Sequence, residues 1–251
     1  MTEKKKDTEF IIQIVIVAVL ALLLVYNVGK MTSGGTGGTS GGSDGGIIKA
    51  VSASGIMPKG TPAIYGKELN VRYDDVSAAD PKKADTTIKI LGNLDNTITL
   101  QGADLDRYID TASQISCEYC CGAASIIVTK EDITALNQKI EEAIKAGQIT
   151  EEQGKKYRQN AGAAACGCAH SYAMRGLAKY LIKEHGSEFT NEQVLEELAK
   201  WKTLFFPGAM TAKAEVLKQK GIEFSYANLG SNRYRGIEQG QASGGAMVGG
   251  C

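Results

Sequence analysis

The chain has 251 residues, and its lysines and arginines balance its aspartates and glutamates at 28 each. With no net charge there is no global field to gather nucleic acid or to steer an acidic substrate, so nucleic-acid binding is disfavoured. Its 30 glycines concentrate in a tether near the N-terminus and in the C-terminal stretch, which leaves about 190 residues for folding, ample for one domain.

Residues 1–9 carry Lys4, Lys5 and Lys6, and Phe10 to Gly29 contains no charge. At helical rise that stretch spans roughly 30 Å, the thickness of a bilayer's hydrocarbon core. A buried core helix would need a partner to pack against, and the low-complexity run that follows offers none. A cleaved secretory signal is the stronger rival, but the apolar run is long for one and no small-x-small cleavage site follows it. The reading is therefore a transmembrane anchor over 10–29. Only Lys30 flanks it closely on the far side, so the lysine bias places residues 1–9 in the cytoplasm and the body outside the cell membrane as an extracytoplasmic, single-pass protein. Residues 30–46 include Ser33 to Gly46 (SGGTGGTSGGSDGG), whose spacings match a dinucleotide fingerprint without the flanking strand and helix that such a site needs. They read as a flexible linker.

Residues 47–229 form the soluble domain. Its first part predicts short strands and turns: Ile64, Val71 and Tyr73 in one extended segment, Thr86 to Ile90 and Thr97 to Leu100 in others, with Asn93 to Asn96 turning a hairpin between the last two. Asp74 and Asp75 fall in a solvated loop. Ala103 to Ser113 predicts a short helix. Further on, helical spacing predicts Asp132 to Ala146 closed by Gly147, a second arm over Thr150 to Asn160, and Ala173 to His185 closed by Gly186. A capping box at Thr190 to Gln193 opens a helix that Pro207 stops, and Ala212 to Lys220 forms another. Trp201, Phe205 and Phe206 have core spacing, and His185 suits the C-terminal end of a helix dipole. The fold class is α+β, mostly α: an anchor, a linker, a small strand-containing segment and a helical, Cys/His-rich domain. Residues 230–251 read as a glycine-rich disordered tail ending in Cys251, which is free to pair with another chain.

Two short segments hold the other five cysteines: Cys117-Glu-Tyr-Cys120-Cys121 and Cys166-Gly-Cys168-Ala-His170. A C-x-x-C pair lets two thiolates grip one ion from a tight turn, and a second pair elsewhere completes a tetrahedron. If the second segment is extended, positions 166, 168 and 170 alternate onto one face as a three-toothed ligand edge; in a helix they would diverge. Thiolates with one imidazole suit Zn(II) first, Cu(I) as the alternative and an iron–sulfur cluster behind both, and disfavour Mg or Ca. The candidate ligands are Cys117, Cys120, Cys166, Cys168 and His170, with Cys121 as an extra. Disulfides are the competing use in an oxidising compartment, with Cys117 to Cys166 and Cys120 to Cys168 as one pairing. A redox pair of Cys117 and Cys120 is the third. No catalytic constellation stands out.

The segment Cys166-Gly-Cys168 with His170 resembles a family of membrane-tethered bacterial proteins named for a Pro-Cys-Tyr-Cys-Gly-Cys motif, which combine an N-terminal anchor with clustered cysteines and a histidine soon after. The resemblance covers about ten residues and implies metal handling. It departs from the pattern at Ala165, where the motif has tyrosine, and in the distance upstream of the first cysteine pair. Around Tyr172 to Leu181 and Lys200 to Pro207 the chain also looks like an archaeal-type surface protein, a likeness that implies no activity. The function these readings imply is soft-metal binding outside the membrane, structural or metal-handling, with a disulfide-stapled interaction protein and a tethered thiol oxidoreductase as alternatives.

Overall fold

The structure, a computed structural model, describes residues 53–239 and 247–250. The expected anchor over 10–29, the linker and Cys251 lie outside the described residues, and among the described residues no helix is long and apolar enough to cross a membrane. The described part is built from helices: α1 (Ala53–Ile56), α2 (Pro81–Thr97), α3 (Gly102–Ala112), α4 (Lys130–Lys145), α5 (Glu151–Tyr157), α6 (Ala169–Glu184), α7 (Asn191–Phe205), α8 (Pro207–Gln219) and α9 (Tyr226–Gly230).

The strands expected at Thr86 to Ile90 and from Thr97 are not formed, and the hairpin turn at Asn93 to Asn96 is helical, because 81–97 is the single helix α2. Asp80 caps it by accepting from the Lys83 amide at 3.1 Å, and Pro81 starts it with a pre-set φ. Threonines and isoleucines favour strands only weakly, and here Ala84, Thr87, Ile88 and Leu91 fall at helical spacing and are buried together. Among the described residues the only extended pairings are two isolated bridges, Ile115 with Ser231 and Ile127 with Ala164.

Helix α6 is the hub, packing on α2, α3 and α7. Its approach to α2 depends on two glycines. A Cβ at Gly176 would lie 2.0 Å from the Leu91 carbonyl oxygen, and one at Gly92 would lie 2.2 Å from the Tyr172 ring. Asp95 of α2 then receives Arg175 at 2.8 Å and Lys179 at 2.7 Å, both from α6. Helix α7 supplies the apolar centre through Leu195, Leu198, Trp201 and Phe205, all fully buried. Pro207 does more than end α7: it occupies the first position of α8.

Helices α4 and α5 form a hairpin that packs mainly on itself. Capping boxes open both, Thr129 with Asp132 and Thr150 with Gln153, and Gly147 at φ +67 turns the chain after α4. Of the α4 side chains only Ile140 is buried. The hairpin leaves and returns at one place, because Val128 donates to Ala163 at 2.8 Å and Ala165 donates to the Ile126 carbonyl at 3.2 Å.

The tail expected to lack structure is docked wherever it is described. After α9, Glu238 is buried, Val248 donates to the Phe205 carbonyl at 2.9 Å, and Gly250 donates to Asp85 at 3.1 Å. Asp75, expected in solvent, is buried and paired with Lys83 at 2.9 Å.

Candidate metal and thiol centre

The two thiol segments meet because the chain on either side of the α4–α5 hairpin is zipped together. Ile126 donates to the Ile115 carbonyl at 3.0 Å, two residues before Cys117, and Ala165 donates to Ile126 immediately before Cys166. A tight turn then gathers the first segment, with the amides of Cys120 and Cys121 both donating to the Cys117 carbonyl at 3.3 and 3.2 Å. Arg175, nearly buried within α6, fixes the second segment: its Nη1 donates to the Cys166 carbonyl at 2.8 Å and to Ser171 Oγ at 2.9 Å.

Helix α6 begins at Ala169, earlier than its apolar spacing predicts, so 166–170 is not one extended edge. Cys168 is instead its N-cap, in extended backbone conformation, accepting from the Ser171 amide at 3.3 Å. His170 sits in the first helical turn and is fully buried, its ring 4.8 and 4.9 Å from those of Phe205 and Phe206. Its Nε2 lies 2.9 Å from the Val248 carbonyl, so the docked tail holds the ring in place. The three-toothed edge gives way to a corner: a loop cysteine, a capping cysteine and a histidine one turn in.

The sulfurs are sorted. Cys121 and Cys166 form a disulfide, which replaces the expected pairing of Cys117 with Cys166 and Cys120 with Cys168. Cys117 and Cys168 are free thiols with sulfurs 3.2 Å apart, and Cys120 is not a free thiol. Two groups have donor atoms all within 4.8 Å of one another: Cys117, Cys120, Cys168 and His170, and separately Cys121, Cys166 and Cys168. Every candidate from the sequence therefore lies in one of the two groups, and Cys168 alone belongs to both. These groups could hold a metal ion.

The electrostatics favour charge on one sulfur. The Cys117 thiol donates to Cys168 and lowers its pKa, and the imidazole of His170 and the Ser171 amide push the same way; together they outweigh burial and bring Cys168 down to about 4. Cys117 is pushed well up, first by that same hydrogen bond, then by burial and by the charge on Cys168. Within the pair the negative charge is favoured on Cys168 and the proton on Cys117.

A buried ionic cluster lies next to the first segment. Glu118, between Cys117 and Tyr119, receives Lys202 at 3.0 Å, Lys213 at 3.6 Å and Arg235 at 3.2 Å, with both lysine side chains fully buried. Burial alone would raise the Glu118 pKa, but the ammonium groups of Lys202 and Lys213 hold it below the usual carboxylate range. Burial lowers Lys202 to about 8, although Glu118 opposes the shift. Lys202 also donates to the Gly230 carbonyl at 2.8 Å, and its charge favours the Cys117 thiolate. None of these residues shows a signal in the sequence, because Lys202 and Lys213 read as the polar faces of amphipathic helices. The other histidine, His185, is held between Glu188 at 2.7 Å and Glu68 at 2.9 Å, away from the sulfurs.

No family model matches the chain, and neither a curated protein nor a solved structure matches it.

Proposed function

We propose that this chain is a membrane-anchored, extracytoplasmic protein that binds one soft metal ion, with Cys117, Cys168 and His170 as ligands and Cys120 as the fourth once it is reduced. The observation that carries the reading is the meeting of two free thiols, 3.2 Å apart and drawn from distant segments, with a buried imidazole in the same 4.8 Å group. The buried His170 ring is held at Nε2 against the Val248 carbonyl and also hydrogen-bonds the Cys168 sulfur, which places the imidazole and that thiol side by side. Zn(II) suits two thiolates and an imidazole with a fourth donor, and Cu(I) accepts the same three donors alone. The uncharged span from Phe10 to Gly29 supports the anchor, and the lysines before it support an outward-facing domain. Binding would release the proton of Cys117, and the neighbouring Lys202 offsets the charge that remains.

The test is native mass spectrometry of the full chain in detergent, loaded separately with Zn(II) and with Cu(I), before and after a chelator. The reading expects one bound ion per chain, removed by the chelator and absent from Cys168→Ser. If neither ion is retained while Cys117 and Cys168 label as free thiols, the reading fails. The disulfide between Cys121 and Cys166 favours a second reading, in which the cysteines staple a surface interaction protein and no ion binds.

A further inference from the structure

The Cys121–Cys166 disulfide serves no ligand role in the reading above, yet it borders the free pair. The Cys168 sulfur lies within 4.8 Å of both sulfurs of that disulfide and 3.2 Å from Cys117. Cys168 occupies the N-cap of α6, where the Ser171 amide points at its sulfur, the placement that suits an attacking thiolate. Cys121 is exposed, whereas Cys117 and Cys166 are buried. One disulfide and one dithiol thus share a junction, with an exposed sulfur on one side and a buried one on the other.

We infer that Cys168 relays the disulfide by thiol–disulfide exchange, from the pair Cys121–Cys166 to the pair Cys117–Cys168, freeing the exposed Cys121 sulfur, and that this exchange switches the metal site off. In the first step the Cys168 thiolate attacks the Cys121 sulfur. The bond between Cys121 and Cys166 breaks, and its electron pair leaves on Cys166, which takes up a proton. In the second step Cys117 loses its proton and attacks the Cys168 sulfur, and Cys121 departs as a thiolate. The Cys117–Cys168 pair gives up two electrons and the Cys121–Cys166 pair gains them, so no outside oxidant or reductant enters. Attack on Cys121 is preferred because attack on Cys166 would close a strained ring with its near neighbour Cys168. The product carries an exposed thiolate at Cys121, the sulfur best placed to meet a dithiol or disulfide of another molecule.

The effect on metal capture rests on the proposed function; the exchange does not. In one isomer Cys117 and Cys168 are free to ligate. In the other they are joined, and an ion at that corner loses two thiolates. Conversely, an ion held by Cys117 and Cys168 locks the disulfide at Cys121–Cys166.

Differential alkylation of the full chain in detergent tests both parts. Metal-free protein is incubated at mildly alkaline pH and quenched with acid at intervals. Free thiols are alkylated, disulfides are reduced and labelled with a second reagent, and peptide fragmentation assigns each label to its cysteine. The expected result is first label on Cys117 and Cys168 at the start, with equal amounts then appearing on Cys121 and Cys166. Cys168→Ser should show no transfer, and Cys117→Ser should accumulate a Cys121–Cys168 crosslink with Cys166 free. Zn(II) well above its Kd should slow the transfer by about tenfold or more through mass action. Label that stays on Cys117 and Cys168 in the wild type, with no crosslink in Cys117→Ser, overturns the exchange. Label appearing on Cys120 overturns the choice of partner. Transfer that Zn(II) leaves unchanged, in a sample that native mass shows to be loaded, overturns only the switch, whereas transfer in a protein that binds no ion leaves the exchange standing and the metal reading fallen.

Discussion

The two ends of α6 each carry one of the chain's two histidines, and they serve opposite ends. At the N-terminal end His170 has no exposure, stacks on Phe205 and Phe206, and shares a corner with thiols. At the C-terminal end His185 lies between two carboxylates that are themselves half exposed. Burial of neighbours, rather than residue type, separates a candidate ligand from a surface ion pair. The same contrast holds for the charges: Glu118 beside the first end is sealed with two lysines, while Glu68 and Glu188 at the second are open to water and screened.

The contrast breaks most visibly if the buried charge is removed. Glu118→Gln takes the carboxylate away from the sealed Lys202 and leaves Lys213 with Glu238 alone, and a loss of about 3–5 kcal/mol in urea unfolding is expected. Because the folded-state pKa of Glu118 is depressed, its contribution is present above the ordinary glutamate range and disappears as pH falls through the folded value. The wild-type advantage over the variant should therefore shrink on acidification. An equal loss at every pH would show that the cluster acts through shape.

A somewhat smaller effect is expected where the two ends are joined. Gly176→Ala drives a methyl group into the Leu91 carbonyl, forcing α2 and α6 apart at a cost of roughly 1–3 kcal/mol. Its readout is Tm, together with a weakening of metal binding as the Arg175 anchor to the Cys166 carbonyl shifts. Unchanged Tm would mean that the helix approach is looser than the glycines require.

The smallest effect belongs to the exposed end. Burial alone would lower the His185 pKa, but the hydrogen bonds its ring makes to the carboxylates of Glu188 and Glu68 raise it. A raised folded-state value makes the pair stabilising below the ordinary histidine pKa, about 6.5, and the benefit is lost as pH rises through the folded value. His185→Gln should therefore lower Tm slightly at acidic pH and leave it unchanged at alkaline pH. A loss that grows with pH contradicts the assignment.

How much of this was legible follows the range of the forces involved. Local signals are legible: the capping box at Thr190, Gly147 after α4, and the core spacing of Trp201 and Phe205. In α2 the β-branched residues at Thr86 to Ile90 suggest a strand, and only tertiary burial of Ala84, Ile88 and Leu91 selects the helix. The meeting of the thiol segments was foreseeable from residue type, but their pairing was not, since it depends on backbone zipping at Ile126 and Ala165. Cys168 as an N-cap escaped notice because cysteine seldom caps helices, and the Glu118 cluster because lysines on amphipathic helices normally face water.

The central claim is that sulfur from two distant segments closes on one ion. Cobalt(II) titration of the full chain, followed by its near-ultraviolet absorption, tests it most directly, because thiolate ligands give intense charge-transfer bands that oxygen and nitrogen ligands do not. With Cys120 kept oxidised, the account predicts a band that saturates at one equivalent, falls by about half in Cys117→Ser as one of two thiolates is lost, and vanishes in Cys117→Ser combined with Cys168→Ser. Saturation without such a band, or a band untouched by both substitutions, would contradict it.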